Sequence, residues 1–380
     1  MKKKMFYFAA LVAASAALTG CSSDDDLSAA QPAGVPFGVS ATVASDPTRG
    51  VDLTASTFDQ FYLYGDDGNG TSWFTGKKFT PSASGDDWTD GETTTWRDGT
   101  WNFYAVTPSA PTSTTFTADA SQFDYTVDNT DVTNQEDLMV AKATGLSSDD
   151  GKINLQFYHA LANIKVSVRF VKGHFDYDES DPDEGKYYAK IQSITFHNIK
   201  KQGTYDFSAN AWSTNQSEYA NYTLNVDPNS WGSNGIDSEG YISFTDNDDY
   251  VPLTFEEGSL FVIPQTITPW GTTNETAVPL TTADSNNNSY ISIECQIYNT
   301  TVDDTNADPI YANYWVHGGG TYDRPGQRNS ASFGTLYFPL KLSANELLFN
   351  KTHHLKITLE GGFRADGKRT IDDATFDIGG

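Results

Sequence analysis

The sequence predicts an all-β protein made of two tandem β-sandwich domains. Three observations carry the prediction. Apolar and polar residues alternate with period two along many short stretches, the pattern of strands with one buried face. Clusters of Gly, Asn, Asp and Pro separate those stretches, as turns between short strands require. Helical periodicity is scarce, while 8 Trp, 20 Tyr and 23 Phe supply side chains that suit pleated sheets. At 380 residues the chain is too long for one small core, which sets the expected number of domains at two.

Residues 1–20 form a leader, in which Lys2, Lys3 and Lys4 precede an apolar stretch ending at Gly20. It is too short and wrongly flanked for a spanning helix and has the make-up of a secretory signal. The tetrad Leu18-Thr19-Gly20-Cys21 resembles the bacterial lipobox, in which the cysteine is acylated and becomes the new N-terminus. Two or more acyl chains hold a protein on an outer membrane where one would be marginal. "SSDDD" after Cys21 resembles the acidic export signal of Bacteroidetes surface lipoproteins, and residues 21–34 read as a tether. Removing the leader leaves 21 of the 24 basic residues against 50 acidic ones, a net charge of −29. Such a charge argues against nucleic acid as a partner.

The N-terminal sandwich is expected over 35–147. It opens on "VPFGVSATVAS", where Val35, Phe37, Val39, Ala41 and Val43 share one face of a strand. "DPTRG" (46–50) follows as a turn carrying Arg49, the first basic residue after the leader, and Gly50. "FDQFYLY" (58–64) and "TWNFYAV" (100–106) are further strands. The polar, Gly-bearing "KATGLSSDDG" (142–151) is the expected linker. The C-terminal sandwich, 148–380, contains "INLQF" (153–157), "NIKVSVRF" (163–170), "AKIQSITFHNI" (189–199), "SLFVIP" (259–264), "YISIECQIY" (290–298), "GTLYFPLKL" (334–342) and "HLKITLE" (354–360). "SANELLF" (343–349) hints at a helical turn capped by Ser343. Once Cys21 is acylated, Cys295 has no partner and reads as a buried, inert thiol.

No catalytic or metal-binding motif stands out, so no enzyme, cofactor or metal is expected. The six histidines lack zinc spacing, and there is no phosphate loop or nucleophile elbow. The run "FDYDESDPDEG" (175–185) lacks an EF-hand's spacing and reads as a solvated acidic loop before a weak calcium site. Trp73, Trp88, Trp96 and Trp101 crowd the first half. They fit an aromatic core and, as the rival reading, the sugar-stacking face of a glycan-binding outer-membrane surface lipoprotein.

Several segments, in order, resemble the fimbrillin family of Bacteroidales, the subunits of type V pili. They are the lipobox with its acidic tail, "TRG" after a first strand, "TTTWRDGTWNFYAVTP" (93–108), "QEDLMVAKA" (135–143), "LQFYHALANIKVSV" (155–168) and "LFVIPQT" (260–266). The resemblance implies two transthyretin-like sandwiches in tandem. It makes His159 a structural histidine. It also implies assembly: a trypsin-like protease cuts after Arg49, the strand bearing Val35 to Val43 leaves, and a neighbouring subunit's C-terminal strand takes its place. Five buried apolar side chains would contribute on the order of 10 kcal/mol to such a contact. Two donors are open, residues 355–363 and 370–378; the acid in the second favours Leu355, Ile357 and Leu359 in the first. The implied partners are other fimbrial subunits, the outer membrane through the lipid, and a ligand on a host or bacterial surface.

Overall fold

All the long regular elements are strands, and no α-helix occurs among the described residues. The structure is a computed structural model and describes residues 34–44, 58–83, 87–108, 114–116, 121–172, 186–215, 217–243, 249–270, 287–303, 310–317, 333–342, 345–363 and 369–379. The first strands are β1 (Gly38–Val43), β2 (Phe61–Asp66), β3 (Ser72–Pro81), β4 (Trp88–Thr89), β5 (Trp101–Thr107), β6 (Thr114–Phe116), β7 (Gln122–Thr126), β8 (Met139–Leu146) and β9 (Lys152–His159). Seven of them close a barrel in the order β1-β4-β3-β2-β5-β8-β9. Its core is strongly aromatic: Phe61, Phe103 and Phe157 are fully buried, joined by Leu63, Ala105 and Met139. Closure removes the free sheet edges that an open sheet must protect.

The rest of the chain supplies β10 (Ala162–Lys172), β11 (Lys186–Lys200), β12 (Gln202–Asp206), β13 (Ala211–Thr214), β14 (Tyr219–Asn225), β15 (Ile242–Ser243), β16 (Val251–Pro252), β17 (Leu260–Val262) and β18 (Gln265–Thr266). It ends with β19 (Tyr290–Asp303), β20 (Ile310–His317), β21 (Gly334–Pro339), β22 (Glu346–Leu347), β23 (Thr352–Phe363) and β24 (Arg369–Gly379). One sheet runs β16-β10-β23-β24 and another β14-β11-β19-β20. Ile164, Val166 and Val168 of the first share one apolar cluster with Ile194, Phe196, Ile291 and Ile293 of the second. That is the layered core expected of a sandwich. In β11 the alternation slips by one at exposed Gln192, where a bulge lets both Ile191 and Ile194 face the core. The two long parallel ladders are related: β1 runs parallel to β9, and β10 parallel to β23.

Three details differ from the sequence expectation. The expected linker forms the end of β8 and a 3-10 turn over Ser148–Asp150, capped by Ser147 and closed by Gly151 at φ 65. The division at 147/148 therefore falls inside the barrel, which includes β9 up to His159. A small sheet, β13-β12-β7-β6, also pairs strands from either side of that point. Third, the helical turn hinted at in 343–349 does not occur among its described residues, 345–349: Leu347 is buried in β22, paired with Gln265, and Ser343 lies outside the described residues.

Two groups in this half, one buried and one half-buried, give tests. Cys295 is fully buried, and desolvation, then the charge of Glu294, push its thiol up to about 12. With Cys21 acylated or replaced, no thiol should react with a thiol-specific dye until the protein unfolds. His197 donates or accepts at Nε2 with Ser292 Oγ, 2.7 Å away, and stacks on Tyr290 at 4.2 Å. Burial holds its imidazole down at about 4. The unfolded chain therefore takes up the proton first, and stability falls as pH drops from 6.5 towards 4. Between pH 7 and 5 the loss from His197 should be about 1–2 kcal/mol by denaturant titration. His197→Phe should remove most of it; His354, lowered by burial and then by Lys165 and Lys356, adds a remainder of the same sign.

Candidate functional site

Extended, β-forming residues with one apolar face put the 35–43 segment into the barrel wall as β1. Its two neighbours hold it unequally. On one side six consecutive pairs, from Gly38↔Lys152 to Val43↔Phe157, run parallel to β9. On the other side β4 offers one ladder pair, Val39↔Trp88. Hydrogen bonds extend both sides: Ala44 N donates to Phe157 O at 2.8 Å, Phe37 N to Thr94 O at 2.9 Å, and Trp96 N to Val35 O at 2.8 Å. β1 is thus the stave that completes the barrel.

Beneath it lies an aromatic cup. The Phe37 ring sits 4.9 Å from Trp73, 5.2 Å from Phe74, 5.1 Å from Trp96 and 5.4 Å from Phe103, centroid to centroid. The Trp96 indole closes one end of the cup and donates to Gly151 O at 2.8 Å. Val39 is buried at 1 % exposure, while Phe37, Ala41 and Val43 are half-buried against the same cluster. Val35 is the exception among the five expected core positions, at 44 % exposure. It precedes β1, where the chain bridges to Thr95 through Pro36 and has left the barrel interior. The strand's gross apolar contribution is therefore about 5 kcal/mol rather than about 10.

The sequence profile of the family described as fimbrillin-like matches residues 48–373. The chain belongs to the fimbrillin-like family. A fimbrial protein from Bacteroides vulgatus has the same fold at TM-score 0.53, with 13% identity over 90% of this fimbrillin-like chain and 99% of the other. The fimbrial anchor protein Mfa2 from Porphyromonas gingivalis is a more distant match, at TM-score 0.35 and 11% identity over 90% of this chain and 97% of that one. No curated protein sequence matches significantly.

In this fimbrillin-like chain Cys21, Arg49 and Gly50 lie outside the described residues, as does the rest of 45–57. The described chain leaves β1 at Ala44 and returns at Phe58, whose ring packs on Trp88 at 4.6 Å and Phe157 at 4.9 Å. Leu355, Ile357 and Leu359 are buried core residues of β23, which lies between β10 and β24 and is paired on both sides. β24 forms the end of that sheet. His159 is buried, its Nδ1 2.8 Å from Asp137 Oδ2, inside the wall rather than facing an opening. Trp96 and Trp101 are buried, and Trp73 and Trp88 are half-buried against the same aromatic core of the barrel. What sequence reasoning missed is the pairing of β9 with β1. "KINLQFYH" alternates as cleanly as the first strand, but a sequence pattern does not say which strands will lie side by side.

Proposed function

We propose that this fimbrillin-like protein is a structural subunit of a surface fimbria, carried to the outer membrane as a lipoprotein acylated at Cys21. Cleavage between Arg49 and Gly50 then primes it for donor-strand exchange with another subunit. One observation supports the reading above the others: β1 closes the barrel between β9 and β4, at the start of the described residues and just ahead of Arg49 in sequence. Without β1 the barrel becomes an open sheet. β9 is left as an edge with Phe157 O unpaired, and the aromatic cup loses Phe37. An extended segment from a second chain restores the ladder and refills the cup, which is strand addition. Donor and acceptor belong to different sheets, so the contact is heterologous and propagates head-to-tail as a filament.

The segment best placed to be donated is β24. Withdrawing Leu355, Ile357 and Leu359 would break two ladders and empty a core, whereas β24 is paired on one side only among the described residues. A register shift takes Gly361↔Ile371 to Glu360↔Asp373 and leaves Asp372 out of phase. Beyond it Ala374, Phe376 and Ile378 alternate with Asp373, Thr375 and Asp377, so only Asp372 is set off by the bulge and the other two acids fall on the alternate positions. No catalytic step belongs to this reading.

The test is proteolytic. Mild trypsin treatment of the surface-extracted protein should give an N-terminus at Gly50 and an SDS-resistant ladder. Arg49→Ala should reach the surface in normal amount and remain monomeric. A full ladder from Arg49→Ala, or no cut at Gly50 in fibre-bearing cells, would overturn the processing role.

A further inference from the structure

The outer face of the barrel carries a second opening, unconnected with the aromatic cup. The ladder between β8 and β9 consists of Met139↔His159 and Val140↔Tyr158, with no further register pairs beyond it. Where the pairing stops, a cleft of about 440 Å³ opens between β9 and the small sheet containing β12. That volume lies within the range of small-ligand sites.

Its lining divides by chemistry. Val140, Tyr205 and Phe207 are buried and make an apolar floor, with the half-buried Phe349 beside them. Asn154, Gln156 and Tyr158 point outward from β9 in strict alternation and make one wall, and Asn210 faces it from the turn before β13. The Tyr158 hydroxyl donates to Gln156 Oε1 at 2.8 Å, which fixes ring and amide together. Ser40 of β1 donates to Asn154 Oδ1, so that amide is also oriented. Among the described residues nothing bonds the Asn210 amide or Gln156 Nε2.

Charge is the second independent feature. The chain holds 50 acidic residues, yet no carboxylate lines this cleft. Its one cation, Lys142, directs Nζ to the backbone carbonyl of Phe207. A cationic ligand would find no carboxylate here, and an anionic one only Lys142, whose Nζ is turned to the Phe207 carbonyl. Side-chain amides offer a donor and an acceptor together, the arrangement that vicinal hydroxyls satisfy. An aromatic ring beside them gives a face for the C–H side of a pyranose.

From this we propose that the cleft between β9 and β12 binds a neutral saccharide, held by Asn154, Gln156 and Asn210 and stacked on Tyr158. The proposal stands apart from strand exchange and applies to the unprocessed monomer. The experiment is saturation-transfer NMR on the leaderless chain with maltotriose, cellotriose and triacetylchitotriose at about 5 mM, with trigalacturonate and trialanine as comparators. At least one neutral trisaccharide should receive saturation. The double variant Gln156→Ala/Asn210→Ala, at exposed positions, should keep the wild-type melting temperature and weaken binding at least about tenfold. Silence from all three neutral sugars, binding that survives the double substitution, or tighter binding of trigalacturonate or trialanine overturns the proposal.

Discussion

Val39→Asp is expected to destabilise the unprocessed chain by about 3–5 kcal/mol and to leave the assembled polymer as stable as wild type. Val39 is the one fully buried side chain of β1, at 1 % exposure and paired to both Ile153 and Trp88. A carboxylate there either enters the aromatic core without a partner or drags the strand out of the wall. In a polymer built by the proposed strand exchange, residue 39 would have been cut away and the donor strand would supply its own side chain at that level. The measurement is denaturant unfolding of the monomer beside heat resistance of the ladder. Val35→Asp is the control, since that side chain is exposed and its loss should cost less than about 0.5 kcal/mol in either form. Equal destabilisation of monomer and polymer by Val39→Asp would mean that β1 stays in the fibre, and strand replacement would be abandoned.

That contrast is sharper than the sequence could make it, because the sequence weighted all five apolar positions alike. Alternation reports which residues share a face of a strand, and it did so correctly for Phe37 to Val43. It says nothing of where the strand leaves the sheet, and Val35 lies beyond that point. The same limit explains other differences. "INLQF" was legible as a strand, but its partner, β1, lies more than a hundred residues earlier, so β9 was assigned to the wrong side of the division. β3 escaped notice because Gly76, at φ 81, and two lysines interrupt its apolar run, while pairing with β2 on one side and β4 on the other holds it in the wall. Leu347 and Leu348 looked helical from spacing alone; a contact with β18, distant in sequence, makes the segment a strand.

The site divides in the same way. The aromatic richness of "TWRDGTW" was visible, and that Trp96 would meet Phe37 while Trp101 packs on Trp73 was not, because it depends on β1 arriving from outside the hairpin. The donor question was open in the sequence for a related reason. Hydrophobicity ranks 355–363 above 370–378, whereas availability ranks them in the opposite order. A strand already serving two neighbours is a costly thing to give away.

Deletion of residues 369–380 turns that ranking into an experiment, and its expected result is a folded chain that accepts a partner but cannot donate. Removing β24 unpairs one edge of β23 and leaves Leu355, Ile357 and Leu359 seated against β10. Trypsin should still expose Gly50, and the truncated subunit should form no ladder alone. Mixed with wild type it should act as a terminator, shortening the ladder as its fraction rises, because it takes a strand from its neighbour and offers none. Ile357→Asp should behave differently: with the side chain at 0 % exposure between two strands, a charge there costs more than about 4 kcal/mol and removes folded protein altogether. If β23 were the donor instead, the truncated chain would polymerise normally, since residues 355–363 are intact in it. A ladder of undiminished length from the 369–380 deletion would therefore return the donor role to Leu355, Ile357 and Leu359. It would also require β23 to leave the centre of its own sheet at each addition, a rearrangement slow enough to show as a lag in ladder growth after cleavage.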